Sequence, residues 1–149
     1  VGGYFHSGEV EDFSTGTTVD GLGALWFIVD QPIIELVESG IGVNAFFRAS
    51  TVTKDDRSVA TDSVDVGVAI SDAFLRDAIL GLGVSHTIFG EAYLNANSGL
   101  TRSETVMELT YQIRFSDHLM IQPDLQFILD PHQSGRDSLI AGIRAEVSF

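Results

Sequence analysis

Apolar and polar residues alternate along the C-terminal part of the chain. From Leu139 to Phe149 every odd-numbered residue is apolar, whereas the even-numbered positions after Ile140 hold Gly142, Arg144, Glu146 and Ser148. A period of two residues is typical of a β-strand with one apolar face. The same alternation covers residues 119–130 and 105–115. The pattern predicts three strands of about 11 residues, longer than the usual five or six.

Five further strands are predicted upstream. Alternation marks residues 80–85, 63–71 and 42–50, and two less regular strands are expected at 21–30 and 1–7. The run 24–29 is apolar throughout, so its inward and outward positions stay unassigned. The predicted strands therefore number eight.

The predicted connections fall into two length classes. Residues 116–118 and 72–76 are short turns, whereas 53–60, 89–102 and 130–137 are longer and polar. The segment 32–40 is a slight exception, because it is a long turn at the end where the other turns are short. Short turns at one rim and long loops at the other are typical of an outer-membrane barrel. We predict an all-β fold, a transmembrane antiparallel up-and-down β-barrel with apolar positions toward lipid and polar positions toward the lumen.

A soluble β-barrel or β-sandwich would show the same alternation with its apolar face turned inward. The polar parity here is poor in Lys and rich in Gly, Ser, Gln, Asp and Arg, which favours the membrane barrel.

Composition narrows the class of protein. The 149 residues include 21 Asp plus Glu and 8 Lys plus Arg, a net charge of −13, and this excess disfavours nucleic acid as a partner. The absence of Cys excludes disulfides and thiolate metal sites. The longest apolar run is six residues, too short for a transmembrane helix. The chain opens on Val1 without a basic leader, so we expect a processed chain or a piece of a longer one.

Candidate solute-binding chemistry lies on the polar parity. Sugars are neutral and rich in hydroxyls, so a sugar channel needs amides, carboxylates and guanidinium groups for hydrogen bonding, together with aromatic faces. Phe46 beside Arg48 is a candidate pair of this kind. An alternative is that Arg114 and Arg144 only pair with Glu146, Glu108 or Asp124 on neighbouring strands. The predicted pore-lining residues are Phe46, Arg48, Glu108, Gln112, Arg114, Gln122, Asp124, Gln126, Arg144 and Glu146.

Enzyme chemistry is not expected. His6, His86, His118 and His132 lack the spacing of a metal site, and no cofactor motif is present. Ser85 and His86 are adjacent on a predicted strand, so their side chains point to opposite faces and cannot pair directly.

Several carboxylates are predicted in loops. They either bridge divalent cations to lipopolysaccharide or keep the loops solvated. These residues are Glu9, Glu11, Asp12, Asp55 and Asp56.

Short motifs resemble a known family of porins. The segments are 108–112 (ELTYQ), 121–126 (IQPDLQ), Asp130-Pro131 and 141–149 (AGIRAEVSF), preceded in order by Asp30-Gln31, 42–48 and 76–83. Together they resemble the carbohydrate-selective porins of the OprB family, most strongly over 104–149. The terminal Phe149 resembles the aromatic assembly signal of outer-membrane barrels. Departures from the family pattern occur in two turns, at 130–133 and 75–77.

The resemblance implies a sixteen-stranded barrel in the outer membrane of a Gram-negative cell, of which this chain is the C-terminal half. It implies passage of small hydrophilic solutes, sugars above all, through the lumen, with neither nucleic acid nor a cofactor among the partners. Small residues at Gly67, Gly81, Gly83 and Gly142 favour such a wide barrel. Membrane lipid and lipopolysaccharide are the expected partners, and the oligomeric state is left open, with a homo-oligomer among the alternatives. The alternative functions are a complete eight-stranded structural or adhesion protein of the outer membrane and a soluble β-barrel that binds an apolar ligand.

Overall fold

The computed structural model describes residues 1–36, 40–131 and 136–149, and within these ranges the chain forms one eight-stranded antiparallel sheet in sequence order. A 3₁₀ helix, Asp55–Arg57, precedes β4, and a short helix α1, Glu91–Ala96, follows β5. The strands are β1 Gly2–Asp12, β2 Thr17–Leu36, β3 Ile41–Val52, β4 Ala60–Ser71, β5 Ala78–Phe89, β6 Ser103–Ser116, β7 Leu119–Leu129 and β8 Ser138–Val147. Each of the eight predicted strands is present, and the up-and-down order is confirmed.

The pairing register is uninterrupted in three of the seven ladders of the described sheet, and each of the other four contains one shift. Strands β3 and β4 pair from Gly42 with Ser71 to Thr51 with Asp62, and no register shift interrupts the ladders β3–β4, β5–β6 or β7–β8. Residues opposite each other point to the same face, because side chains alternate with a period of two. The alternation of one strand is therefore continued by its neighbours across the sheet.

The apolar face is the more exposed face of this sheet. On β4, Val64 and Val66 are 43% and 47% exposed, whereas the intervening Asp65 is half-buried and Gly67 is buried. On β7, Leu125 is exposed while the polar positions on either side are half-buried. A sheet that curves around its polar face produces this distribution, and a soluble β fold produces its inverse.

Few apolar side chains are buried inside the structure. Among the described residues, the buried apolar ones are Ala73, Ala78 and Phe89, and all three lie at or beside strand ends. No helix in the described ranges combines the length and apolar character needed to cross a membrane.

Strand β2 is longer than the sequence pattern predicts. It continues from Thr17 through Pro32 to Leu36, and its register with β3 shifts between Pro32 and Ile34. Proline has no N–H to donate to the ladder. It is tolerated within a strand at such an irregularity, because the ladder is already interrupted there. The predicted turn at 32–40 is therefore wrong over residues 32–36, and residues 37–39 lie outside the described residues. Strand β5 likewise extends beyond the predicted 80–85.

Strand β1 also extends further than predicted, which relocates several acidic residues. Glu9, Glu11 and Asp12 belong to β1 and not to a loop, although Asp55 and Asp56 do lie in a connection. The Asp12 carboxylate is buried, and its Oδ1 accepts hydrogen bonds from the backbone N–H groups of the turn that leads into β2. An aspartate that bonds the backbone in this way stabilises a tight turn.

Three connections pack against one another at one end of the sheet, here named the loop rim: residues 13–16, 53–59 and 90–102. The Arg57 side chain is largely buried, and its Nη1 donates to the carbonyl oxygens of Asp20 (2.6 Å) and Gly21 (2.8 Å). The Phe13 ring meets Tyr93 of α1 edge-on, with ring centroids 5.0 Å apart. The connection 89–102, predicted only as a long polar loop, thus contains a helix that packs on the first hairpin.

Short turns form the opposite end, here named the turn rim: residues 72–77 and 117–118. Asp72 and Asp77 have positive φ angles of 53° and 60°, and the Asp72 carboxylate accepts a hydrogen bond from the Asp77 N–H (2.7 Å). Aspartate is among the non-glycine residues that tolerate this conformation best. The Tyr111 hydroxyl donates to the Ala73 carbonyl (2.7 Å), which ties the turn to β6.

Glycine on the polar face makes room for a large neighbour. A Cβ at Gly67 would lie 2.5 Å from Cε1 of Phe46 and 2.7 Å from the backbone oxygen of Leu82. The Phe46 ring therefore lies flat over the backbone of β4 and does not stand out from the sheet. Gly83, paired directly with Gly67, differs, because its Cβ would meet only the Val66 oxygen at 3.9 Å.

We predict that Gly67→Ala destabilises the folded protein by about 1–3 kcal/mol, because the Leu82 backbone cannot move away from the added methyl group. The matched Gly83→Ala variant should stay within about 0.5 kcal/mol of the wild type. Urea unfolding of the two variants in the same lipid or detergent measures the difference. Equal stability of the two variants would contradict the close packing at Gly67.

Candidate functional site: the polar face of the sheet

The polar face brings Phe46 and Arg48 into contact. Both lie on β3, two residues apart, and the Arg48 guanidinium carbon stands 5.0 Å from the centroid of the Phe46 ring. A guanidinium group at this distance from an aromatic face is stabilised by a cation–π interaction. Arg48 is exposed, so its hydrogen-bond donors remain directed to solvent while the ring fixes its position.

Asp65 lies directly opposite Arg48 on β4, yet the two do not form an ion pair. Their backbones are paired in the β3–β4 register, but no salt bridge among the described residues includes either side chain. Arg48 is therefore not neutralised by the carboxylate opposite it on the neighbouring strand. A cation and a carboxylate stand side by side, both with hydrogen-bonding capacity to spare.

An open groove of about 330 Å³ lies over this part of the sheet. Two glycines, Gly81 and Gly83, form part of the floor of this groove, and neither adds a side chain to it. The polar and aromatic side chains that line it are Phe46, Arg48, Asp65, Ser85, Glu108 and Thr110. Donors, acceptors and an aromatic face therefore converge on one open volume.

Glu108 continues the row that begins at Phe46. The register pairs Phe46 with Gly67, Gly67 with Gly83, Gly83 with Glu108 and Glu108 with Gln126. Gln126 Nε2 donates to Glu108 Oε2 at 3.1 Å. This bond orients the carboxylate along the sheet and leaves its other oxygen available to a solute.

Asp124 lies on the polar face two residues before Gln126. Its carboxylate covers Gly142 on β8, with which it is paired in register, and it fills the space that a side chain at that position would need. Gln122 is paired with Arg144 in the next position along the same two strands.

The remaining predicted residues form a second group near the turn rim. Gln112, Arg114, Arg144 and Glu146 line a groove of about 180 Å³. Arg114 lies six residues beyond Glu108 on β6, which corresponds to about 20 Å along the strand. The predicted pore-lining residues therefore form two clusters at different heights, and no single small solute contacts both.

Arg144 pairs within its own strand. Its Nη2 lies 3.2 Å from Glu146 Oε2, and both side chains are more than half exposed. Glu146 is one of the carboxylates expected as a structural partner, but it lies on the same strand as Arg144 and not on a neighbouring one, because residues i and i+2 share a face and lie within reach of a long side chain. Such an exposed pair contributes little to stability and is free to exchange for solute contacts.

Trp26 and Tyr4 also belong to the polar face, which the sequence pattern did not indicate. Trp26 is paired with Ser50 on β3 and with Gly2 on β1, and Tyr4 is paired with Ala24. The run 24–29 is apolar throughout, so periodicity could not assign a face to Trp26. Only the register with β3, whose alternation is clear, could have placed it.

Two of the histidines take part in local hydrogen bonds. His86 Nδ1 lies 2.8 Å from Thr105 Oγ1, and His118 Nδ1 lies 2.9 Å from the Ser148 carbonyl oxygen. His132 lies outside the described residues. Within the described ranges, no three His, Cys, Asp or Glu residues approach closely enough to hold a metal ion. Ser85 lines the polar groove, whereas His86 bonds to Thr105 on the opposite face.

Comparison with known proteins agrees with this geometry. An up-and-down sheet with an exposed apolar face and a hydrogen-bonding polar face defines the wall of an outer-membrane β-barrel. The family of carbohydrate-selective porins, OprB family, matches residues 1–149, and the chain belongs to this family. Its membership confirms the predicted family and the outer-membrane location. A search of curated proteins gave no match.

A solved structure gives the fold of a related barrel. The high-pH structure of Pseudomonas putida OprB superposes with a TM-score of 0.86 at 18% sequence identity. The match covers 99% of this chain and 43% of that chain, so the chain spans less than half the length of the solved protein. The similarity confirms the predicted barrel fold.

Proposed function

We propose that this chain forms part of the wall of a porin that lets small hydrophilic solutes diffuse across the outer membrane, with sugars preferred. The observation that supports the proposal is the arrangement of Arg48, Phe46, Asp65 and Glu108 around one open groove on the face opposite the apolar one. The function is transport and not catalysis, in keeping with family membership.

Sugar preference follows from the chemistry of this groove. A sugar ring offers hydroxyl groups that both donate and accept hydrogen bonds, so a guanidinium group and carboxylates within one groove can bind it from both sides. The half-buried Phe46 ring and the exposed Arg48 guanidinium add an aromatic and a polar surface at one place. Since the groove is open and shallow, binding stays weak enough for release, as diffusion requires.

We propose further that additional strands complete the barrel. Among the described residues, β1 and β8 are each paired on one side only and are not paired with each other. Unpaired backbone groups at a strand edge are not tolerated within the hydrocarbon region, so each edge must find a partner. The proposed arrangement is the C-terminal half of a sixteen-stranded porin. It is supported by the coverage of 43% of the solved homologue.

Lipid and lipopolysaccharide are proposed partners of the exposed surfaces. The apolar face, with Val66 and Leu109 among its exposed residues, would contact acyl chains. Asp55 is exposed at the loop rim, where a divalent cation could bridge it to lipopolysaccharide, whereas Asp56 lies 3.8 Å from Arg57 within the rim. That the protein assembles as a homo-oligomer stays a prediction.

We predict that Arg48→Ala weakens sugar binding in the channel by about tenfold, since a hydrogen bond to a charged group typically contributes that much or more. The sugar affinity of Arg48→Lys should lie between those of the wild type and Arg48→Ala, because lysine keeps the charge but loses the planar group that stacks on Phe46. Sugar-dependent block of single-channel current in planar bilayers measures the effect. Arg76→Ala, which removes the same charge from the turn before β5, is the matched control. Unchanged sugar block in Arg48→Ala would contradict the role of Arg48.

The intact mass of the native chain tests the proposed barrel completion. Mass spectrometry of the protein extracted from its membrane should give more than twice the 16.1 kDa of these 149 residues. A native mass near 16.1 kDa would contradict completion by further strands of the same chain, and would require pairing between separate copies.

A further inference from the structure

A second aromatic pair lies on the polar face, apart from Phe46. The ring centroids of Tyr4 and Trp26 are 6.4 Å apart at an interplanar angle of 40°. Tyr4 is 55% exposed and Trp26 is 37% exposed, so both aromatic side chains reach the surface of this face. Neither residue is needed for the contacts of the Arg48 groove.

The Trp26 indole lies flat on the sheet. A Cβ at Gly2 would fall 2.5 Å from indole Cε2 and 2.7 Å from Nε1, so Gly2 provides a bare backbone surface beneath the ring. One face of the indole is covered by the strand beneath it, and the opposite face is left open. An aromatic face held parallel to the wall in this way is suited to stacking against a passing ring.

Both aromatic side chains keep a free polar group. Within the described ranges, no hydrogen bond is formed by the Trp26 indole N–H or the Tyr4 hydroxyl, and next to Trp26 the hydroxyls of Ser50 and Ser63 lie 2.7 Å apart. Indole N–H groups and phenol hydroxyls usually find a protein partner when they are buried, whereas on these exposed residues they stay available to a solute. The two aromatic rings, the Trp26 indole N–H and the Tyr4 hydroxyl therefore lie together on the same face of the sheet.

The position of the pair relates it to the Arg48 groove. Trp26 is opposite Ser50 and the next residue on the same face, Ile28, is opposite Arg48. Two residues along a strand correspond to about 7 Å, so the aromatic pair lies one step nearer the loop rim than Arg48. A solute that enters from the loop rim reaches the aromatic pair first.

We propose that Trp26 and Tyr4 form a stacking subsite for a pyranose ring, which precedes the Phe46–Arg48 pair on the solute path. The proposal rests on the sugar-porin function proposed above. The apolar C–H face of the sugar lies on the indole ring, while the indole N–H and the tyrosine hydroxyl bond to equatorial hydroxyls. If Trp26 had a purely structural role and only covered Gly2, sugar binding would not depend on this residue.

Fluorescence offers a direct test, because Trp26 is the one tryptophan among these 149 residues. The full-length protein is compared with Trp26→Phe in lipid nanodiscs during titration with glucose and with maltose. Phenylalanine keeps an aromatic ring over Gly2, so folding should be retained. We expect a saturable, sugar-dependent change in emission that is missing from Trp26→Phe. An identical titration for both proteins would overturn the proposal.

Current block by the same sugars gives the second readout. Trp26→Ala should weaken sugar binding about two- to tenfold, as expected for the loss of one aromatic stacking contact, and Tyr4→Phe should give a smaller loss. Phe27→Ala is the matched control, because Phe27 is adjacent on β2 but lies on the apolar face beside Phe47. Trp26→Phe should retain most of the binding.

The outcomes separate this proposal from the function on which it rests. Sugar block in the wild type that persists unchanged in Trp26→Ala would overturn the subsite and leave the porin function standing. Absence of any sugar-dependent block in the wild type would overturn both. An equal loss in Phe27→Ala and Trp26→Ala would also overturn the subsite, since it would indicate a general effect on the β2 strand.

Discussion

The hydrogen-bond ladder between neighbouring strands is the constraint on which the rest of this structure depends. A membrane offers the backbone no water, so every strand that crosses it must be paired along its length. Each described strand is paired with its neighbours in sequence order, and the register is uninterrupted from β3 to β4, β5 to β6 and β7 to β8, whereas the other four ladders each contain one shift. Because the register is regular, the alternation of one strand is continued by the next, and two separate faces result. The apolar face is suited to lipid, and the polar face is left for solutes.

The polar face derives its character from the same regular register. Glycines at positions 67, 142 and 2 lie under Phe46, Asp124 and Trp26, so that large side chains lie along the wall and do not project from it. Among the described residues, ion pairing on this face is sparse: Arg48 stacks on Phe46 and forms no salt bridge with Asp65, and Arg144 pairs with an exposed carboxylate on its own strand. Groups held in place but incompletely hydrogen-bonded can exchange contacts with a passing solute. This is the balance that selective diffusion requires.

The sequence was most informative where alternation is strict. Over 105–149 the odd and even positions differ so clearly that strands β6, β7 and β8 could be predicted nearly to their ends. The pattern failed at Pro32, where a register shift lets the strand continue past a residue that usually ends one. It also failed over 24–29, because an unbroken apolar run has no period, and the face of Trp26 depends on pairing with a strand 20 or more residues away. The same-strand pairing of Arg144 with Glu146 and the packing of α1 on the first hairpin depend on side-chain geometry that periodicity does not contain.

The division of the sheet into a lipid-contacting face and a water-contacting face is the central claim, and cysteine accessibility tests it most directly. The 149 residues contain no Cys, so single cysteines can be introduced at Val66 and Leu109 on the apolar face and at Ser85 and Gln126 on the polar face. The folded full-length protein in lipid bilayers is then treated with a hydrophilic maleimide. We predict rapid labelling of Ser85→Cys and Gln126→Cys and little labelling of Val66→Cys and Leu109→Cys. Equal labelling of all four, or preferential labelling of the apolar positions, would contradict the assignment of the two faces.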